Sequence, residues 1–167
     1  MSTPKIVPFN IDPLRPNTLT EFSGQPELVS QLSMVLSSAA HRQTLPEHIL
    51  FVGPPGTGKT TLANVVANTL GVTFVSTNAA VFEKPKDLVS LISGAASGKQ
   101  PVVVFIDEIH RIPASLAEIL YPVMEDGHLD MKLGEGPAAK TVKISLPPLC
   151  IIGATTVSGK MPAPLLD

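Results

Sequence analysis

Short apolar runs alternate along the chain with segments whose apolar residues recur at helical spacing. The runs predict strands and are HILFV at 48–52, VTFVS at 72–76, VVVFID at 102–107 and LCIIGATT at 149–156. Helices are predicted over 26–40, from near Lys59 to a Gly71 cap, from Pro85, and from Pro113 to a bend or end near Pro122. This order predicts an α/β fold, a three-layer sandwich with a parallel sheet covered on both faces.

The segment over 129–146 departs from this order. LDMKL at 129–133 and TVKISL at 141–146 alternate apolar with polar residues and are separated by GEGPAA. Alternation of this kind predicts an inserted β-hairpin. The hairpin either stands out from the domain or folds back on the domain's own core.

Composition narrows the class of protein. A chain of 167 residues, 44% hydrophobic and 16% charged, suits one globular domain. Its 12 Lys and Arg against 14 Asp and Glu give a net charge of -2, which argues against tight DNA binding by this chain alone. The single Cys150 lies in an apolar run, and we expect a buried, inert thiol. The sequence shows neither a secretory signal nor a membrane span, and we predict a cytoplasmic protein.

The segment GPPGTGKT at 53–60 matches the Walker A pattern, between a predicted strand and a predicted helix. Glycines let backbone N–H groups approach phosphates, and the helix dipole favours the same anions. Lys59 is expected on the β- and γ-phosphates of ATP, and Thr60 on Mg²⁺. The predicted nucleotide ligands here are Gly53, Pro54, Pro55, Gly56, Thr57, Gly58, Lys59, Thr60 and Thr61.

Two adjacent acids, Asp107 and Glu108, end the strand VVVFID. A doubly wound sheet is expected to place this strand beside the P-loop strand. Asp107 is predicted to hold Mg²⁺ through water, and Glu108 to orient the water that attacks the γ-phosphate. The glutamate after the aspartate favours hydrolysis over binding alone.

Threonines and histidines give further candidates. If the fourth strand lies between the P-loop strand and the acid-bearing strand, a hydroxyl at Thr155 or Thr156 would lie near the γ-phosphate, and we favour Thr156 as the sensor. His110 either relays a change at the nucleotide or is a hydrogen-bonded residue at a helix start. The other histidines, His41, His48 and His128, lack metal-ligand spacing and are expected at the surface.

With these residues in place, the sequence resembles the RuvB family of AAA+ ATPases, the bacterial motors of Holliday-junction branch migration. The resemblance covers nearly the whole chain, through LRPNTLTEFSGQPEL, GPPGTGKTTLAN, FIDEIHR, ILYPVMEDGHLD, IIGATT and PAPLLD. The Walker motifs are general to AAA+ proteins, whereas EILYPVMEDGHLD followed by a hairpin and IIGATT is narrower.

The resemblance adds site residues that the pattern alone does not give. It implies that Leu14 and Arg15 lie on the adenine side of the nucleotide. It also implies that Glu125, Asp126 and Gly127 belong to a nucleotide-bearing subunit interface, although the family usually has an aromatic residue where this chain has Gly127.

The resemblance also implies partners. These are further RuvB-like subunits in a ring, expected to be hexameric, DNA reached indirectly or as part of the ring, and a RuvA-like junction-binding protein. The last would contact the apolar face of the hairpin, formed by Met131, Leu133, Val142 and Ile144.

The chain departs from the family at its end. Leu166 stands where the family commonly has arginine, and the family's arginine finger, lid and winged-helix domain follow the PAPLLD region. We therefore expect residues 1–167 to be an AAA+ domain without its lid and winged-helix domains, either a fragment or a truncated paralogue. The leading hypothesis is an ATP-hydrolysing subunit of a DNA branch-migration motor. The alternative is a non-catalytic module that binds ATP and a RuvA-like partner and regulates assembly.

Overall fold

A computed structural model of the chain describes residues 15–96, 100–133, 140–157 and 159. The helices are α1 (Pro26–Arg42), α2 (Lys59–Leu70), α3 (Pro85–Ala96) and α4 (Ala114–Asp126). The strands are β1 (Ile49–Val52), β2 (Thr73–Asn78), β3 (Val102–Asp107), β4 (His128–Leu133), β5 (Lys140–Ser145) and β6 (Leu149–Thr155). Each predicted strand and helix is therefore present, with ends displaced by a few residues.

Four parallel strands form one sheet in the order β1, β6, β3, β2. The expectation that the acid-bearing strand β3 lies beside the P-loop strand β1 is wrong, because β6 lies between them. An inner strand must be apolar on both faces, and the sequence of β6, LCIIGAT, meets this requirement. Six of the seven residues of β6 are buried there, whereas β1, which pairs with β6 alone among the described strands, has only Phe51 buried.

Helices cover both faces of this sheet. Alternate residues of β3 enter two separate cores, with Val104 and Ile106 facing α3 and α4 and with Val103 and Phe105 facing α1 and α2. Side chains of successive strand residues point to opposite faces, so an all-apolar strand must be covered on both sides. This is the predicted three-layer α/β sandwich.

The ends of two helices test the sequence patterns. Gly71 has φ +66° and its N–H bonds to the carbonyl of Asn68, so α2 ends at a left-handed glycine as predicted. Helix α4 does not end near Pro122, one of the two predicted alternatives, because it continues to Asp126 with the proline inside it. Its face of Leu116, Leu120 and Val123 is buried, and this packing outweighs the one backbone hydrogen bond that proline cannot donate.

The hairpin pairs β4 with β5 in antiparallel register, with Leu129 opposite Ile144 and Met131 opposite Val142. Leu129 is fully buried against α4, and Ile144 packs against the same core. Val142, two residues further along the same face, is 40% exposed. The base of the hairpin therefore folds back on the domain core, and the apolar face becomes accessible only away from that base. The GEGPAA turn and the side chains of Met131 and Leu133 lie outside the described residues.

Two single residues of this fold bear on the sequence predictions. Cys150 is buried, and desolvation raises the pKa of its thiol to about 12, which confirms an inert cysteine. His48 is half-buried and not the surface residue predicted. Its Nδ1 accepts from the N–H of Ile151 at 2.9 Å, so Nε2 carries the hydrogen that is donated to the carbonyl of Met124 at 2.9 Å.

Among the described residues, none of the helices has the length and apolarity to cross a membrane.

Candidate active site

The carboxyl ends of the parallel strands bring the Walker segments to one edge of the sheet. β1 runs into the loop over residues 53–58, and the N–H of Gly53 bonds to the carbonyl of Thr155 at the end of β6 at 3.1 Å. Asp107 ends β3 and is paired with Asn78 of β2. Ligands of open α/β sheets bind at this edge, outside the carboxyl ends of the strands.

Glycine is required by the conformation of the loop. Gly56 and Gly58 have φ values of +76° and +83°, in the left-handed region that other residues rarely adopt. A Cβ atom on Gly58 would also lie 3.2 Å from Cζ of Phe22. The hydroxyl of Thr57 donates to the carbonyl of Pro54 at 2.9 Å and closes the loop on itself. The loop is therefore a compact backbone turn that ends where α2 begins.

Helix α2 begins at Lys59, so its unpaired N–H groups face the loop. The Lys59 ammonium donates to the carbonyls of Gly53 and Pro54, each at 2.8 Å. The only formal charge that the loop and the first turn of α2 carry is therefore the positive charge of Lys59, held over the loop. Together with the helix dipole, it gives this edge the electrostatics of a phosphate site.

The residues predicted to hold magnesium fit that ion. Thr60 lies in the first turn of α2 and Asp107 at the end of β3, and both are half-buried. The described part of the chain contains no group of three or more His, Cys, Asp or Glu able to hold a metal. The fit rests on the donor atoms of the two residues, a hydroxyl and a carboxylate oxygen, because Mg²⁺ prefers oxygen ligands and usually takes one or two from the protein beside phosphates and water.

Glu108 is placed by an unusual turn at the end of β3. Its φ is +52°, a left-handed conformation that costs a non-glycine residue on the order of 1 to 2 kcal/mol. Its N–H bonds to Oδ1 of Asp107 at 3.0 Å, and its carbonyl accepts from the N–H of Arg111 at 2.8 Å. The carboxylate stays 29% exposed at the same sheet edge as the P-loop.

Two residues that the sequence offered only as alternatives, His110 and Thr155, meet in this site. Thr155 is fully buried, and its hydroxyl lies 2.8 Å from Nδ1 of His110, whose Nε2 is 3.3 Å from Oε2 of Glu108. His110 is therefore hydrogen-bonded in the turn after β3, in agreement with the second of the two hypotheses for it. The contact with Thr155 joins residues 45 positions apart, which no local pattern could show.

The remaining predicted residues lie in three places. Thr156 directly follows β6 at the P-loop edge and is half-buried, which keeps it a candidate sensor. Arg15 is exposed before α1, and Leu14 lies outside the described residues. The segment Glu125–Gly127 ends α4 near the amino ends of the parallel strands, on the side of the sheet opposite the P-loop. The carbonyl of the neighbouring Met124 is hydrogen-bonded to His48, which directly precedes β1. The structure therefore does not bring this segment to the P-loop of its own chain.

Sheet order, loop and carboxylate turn together define this chain as a P-loop NTPase. Residues 14–167 match the family model described as the Holliday junction DNA helicase RuvB P-loop domain. The chain belongs to this RuvB family.

Solved structures agree with this assignment. The Thermotoga maritima RuvB Holliday junction branch migration motor is 36% identical, with a TM-score of 0.76, and the match covers 91% of this chain and 45% of that one. A single-residue variant of the same protein is 37% identical, with a TM-score of 0.78 and coverage of 91% and 46%. The chain thus spans about half the length of these relatives.

Proposed function

We propose that this chain binds MgATP at the P-loop edge of the sheet and hydrolyses it as a subunit of a RuvB-like ring that drives branch migration of Holliday junctions. The observation that carries the proposal is the meeting of a P-loop and an acid-bearing turn at one sheet edge, in a chain of the RuvB family. Cytoplasmic location belongs to the same proposal.

The triphosphate lies along the loop over residues 53–58. Backbone N–H groups of the loop and of the first turn of α2 donate to phosphate oxygens, as left-handed glycines permit. The Lys59 ammonium donates to two loop carbonyls in this structure, and we assign it to the β- and γ-phosphates. Thr61, in the first turn of α2, lies near the α- and β-phosphates. Arg15 and Leu14 are assigned to the adenine side by resemblance to the family.

Thr60 and Asp107 would hold Mg²⁺, Asp107 through water, and the ion would supply charge neutralisation at the phosphate oxygens. Glu108 orients and polarises the water that attacks the γ-phosphate, and Thr156 contacts that phosphate from the end of β6. The charge that develops on the γ-phosphate oxygens needs cationic stabilisation beyond Lys59. The arginine finger of the family that the chain resembles acts in trans, so we assign that role to a neighbouring subunit.

Subunit and partner contacts use two other regions. Glu125, Asp126 and Gly127 form the end of α4, far from their own P-loop, and their two acids are exposed. We assign them to the nucleotide of an adjacent subunit, as the resemblance to the family implies. The hairpin offers the exposed Val142 to a RuvA-like partner, while Ile144 belongs to the core of the domain.

One observation favours a second function. Residues 112–167 contain no arginine, and Leu166 replaces an arginine that the family commonly has. A leucine in place of that arginine suits a module that binds ATP and a RuvA-like partner and regulates assembly without turnover.

The experiment that separates the two functions measures steady-state phosphate release. The 167-residue polypeptide alone is expected to bind MgATP and to hydrolyse it very slowly, because an arginine finger is worth roughly 10³ to 10⁵ in rate. A full-length RuvB protomer whose own Walker lysine is substituted cannot turn over but can lend its arginine. Mixing the two is expected to restore hydrolysis at the site of this chain. Brisk release by the polypeptide alone contradicts the need for a partner's arginine, and no gain on mixing favours the module.

A further inference from the structure

The imidazole of His110 lies between Glu108 and Thr155, in contact with the carboxylate of the first and hydrogen-bonded to the hydroxyl of the second. Its Nε2 is 3.3 Å from Oε2 of Glu108, and its Nδ1 is 2.8 Å from Oγ1 of Thr155. The His110 side chain is only 13% exposed, against 29% for that of Glu108. The proposed function gives neither His110 nor Thr155 a task.

The direction of each hydrogen bond follows from the chemistry of the three groups. A neutral imidazole has one N–H donor and one acceptor nitrogen, and an ionised carboxylate only accepts. A lone pair on Nε2 would face the carboxylate unfavourably at 3.3 Å, so we assign the hydrogen to Nε2, and Nδ1 then accepts from the hydroxyl of Thr155. The other contact open to that hydroxyl, the carbonyl of Val157 at 3.2 Å, is longer than the 2.8 Å to Nδ1. The hydroxyl oxygen still accepts from the N–H of Val157 at 3.0 Å.

Thr155 is itself fixed to the P-loop. It is fully buried, and its carbonyl accepts from the N–H of Gly53, the first loop residue, at 3.1 Å. The turn that carries His110 also rests closely on β6, since a Cβ atom on Gly153 would lie 2.8 Å from Cδ1 of Ile109. A continuous path of contacts therefore joins the start of the P-loop to the carboxylate of Glu108.

We propose that His110, oriented by Thr155, is a positioning residue that fixes the Glu108 carboxylate relative to the P-loop. A half-exposed glutamate on a strained turn otherwise has several rotamers open to it. One bond from Nε2–H restricts the carboxylate while its second oxygen stays available to water, as a third group orients the base in other hydrolytic sites. The proposal rests on the proposed role of Glu108 in hydrolysis.

Matched substitutions of His110 distinguish its contact with Glu108 from its contact with Thr155. His110→Gln supplies an amide N–H close to the position of Nε2, whereas the shorter His110→Asn reaches Thr155 but not Glu108. In single-turnover hydrolysis by the mixed ring described above, His110→Asn is expected to lower the rate constant about 10- to 100-fold, the cost of misplacing a reacting group by about 1 Å. His110→Gln is expected to stay within about threefold of wild type, and both variants are expected to bind ATP as wild type does.

Thr155 supplies the second pair. Thr155→Val keeps the buried shape and removes the hydroxyl, and we expect a loss of about three- to tenfold in the same rate constant. Thr155→Ser keeps the hydroxyl and is expected to restore most of the rate. Equal rates for His110→Asn, His110→Gln and wild type overturn the proposal. A common fall in ATP affinity and melting temperature, with the two variants of each pair alike, indicates a merely structural role and also overturns it.

A measurement that needs no turnover tests the geometry in the complete 167-residue chain. Nitrogen-15 NMR of the His110 ring, in alkaline buffer where imidazoles are neutral, is expected to show the Nε2–H tautomer, and Thr155→Val is expected to shift it toward a mixture of tautomers. An Nδ1–H tautomer in wild type contradicts the proposal. If Glu108→Gln turns over as fast as wild type, the proposed function fails instead, and the role of His110 fails with it.

Discussion

The P-loop edge of the sheet and the hairpin β4–β5 bury their functional residues in opposite ways. At the edge, backbone conformation positions the groups, with left-handed φ values at Gly56, Gly58 and Glu108 and with half-exposed side chains. In the hairpin, ordinary strand geometry is combined with packing that buries Leu129 fully and leaves Val142 accessible. The conformation of the turns therefore positions the functional groups at the P-loop edge. In the hairpin, distance from the core determines which residues are accessible.

This difference decides which substitutions disturb function and which disturb folding. A side chain at the sheet edge can be replaced with little loss of buried area, so its effect should appear in binding or rate. A side chain at the base of the hairpin cannot, because it belongs to the core under α4. The following predictions separate the two cases.

The largest effect is expected at Glu108. Glu108→Gln keeps the shape and removes the charge that polarises water, so hydrolysis in the mixed ring should fall about 10²- to 10⁴-fold while ATP affinity is kept. Phosphate release and nucleotide titration measure the two quantities. Glu118→Gln, at an exposed position of α4, is the matched control and should leave both unchanged. Undiminished turnover in Glu108→Gln would mean that another group acts as the base.

The site residues differ in whether they could be predicted from the sequence alone. The Walker segments are short and continuous, and the strand–loop–helix context is visible in the same stretch, so the P-loop could be placed from sequence. Glu108 follows β3 directly and was found in the same way. The contact between His110 and Thr155 could not be found, because it depends on β6 lying next to β3.

The fold could likewise be predicted only in part from local sequence patterns. The four sheet strands and four helices follow from local apolar spacing, but the order of the strands in the sheet depends on long-range packing that local spacing does not show. The edge position of β1 and the inner position of β6 are properties of the assembled sheet. Likewise, the alternation in β4 and β5 predicted a hairpin with an apolar face, whereas the burial of Ile144 depends on the neighbouring core.

The next largest effect is on stability, at the base of the hairpin. Leu129→Ala leaves a cavity under α4, and we expect the free energy of unfolding to fall by about 3 kcal/mol. Val142→Ala on the same face should cost less than about 0.5 kcal/mol, because Val142 is partly exposed. Urea unfolding of both variants measures the difference. Equal losses would contradict the division of this face into a buried base and an accessible part.

The smallest effect is expected on partner binding. Val142→Asp should weaken association with a RuvA-like protein about tenfold, because a charge replaces an apolar contact, while ATP affinity and stability are kept. Thr141→Asp, an exposed position on the other face of β5, is the control. Ile144→Asp is unsuitable for this test, because it places a charge against the core. Calorimetric titration that gives equal affinity for Val142→Asp and wild type would exclude this face as the contact.

The most direct test of the central claim is a titration of the 167-residue chain with a fluorescent ATP analogue in the presence of Mg²⁺. Lys59→Ala removes the charge held over the loop, and its affinity should fall about 100-fold or more, as expected for the loss of charge-assisted bonds to phosphate. Lys86→Ala, at an exposed position of α3, should bind as wild type does. Saturable binding by wild type that is lost only in Lys59→Ala is the result the account predicts. Equal affinity in all three proteins, or no binding by wild type, would contradict it.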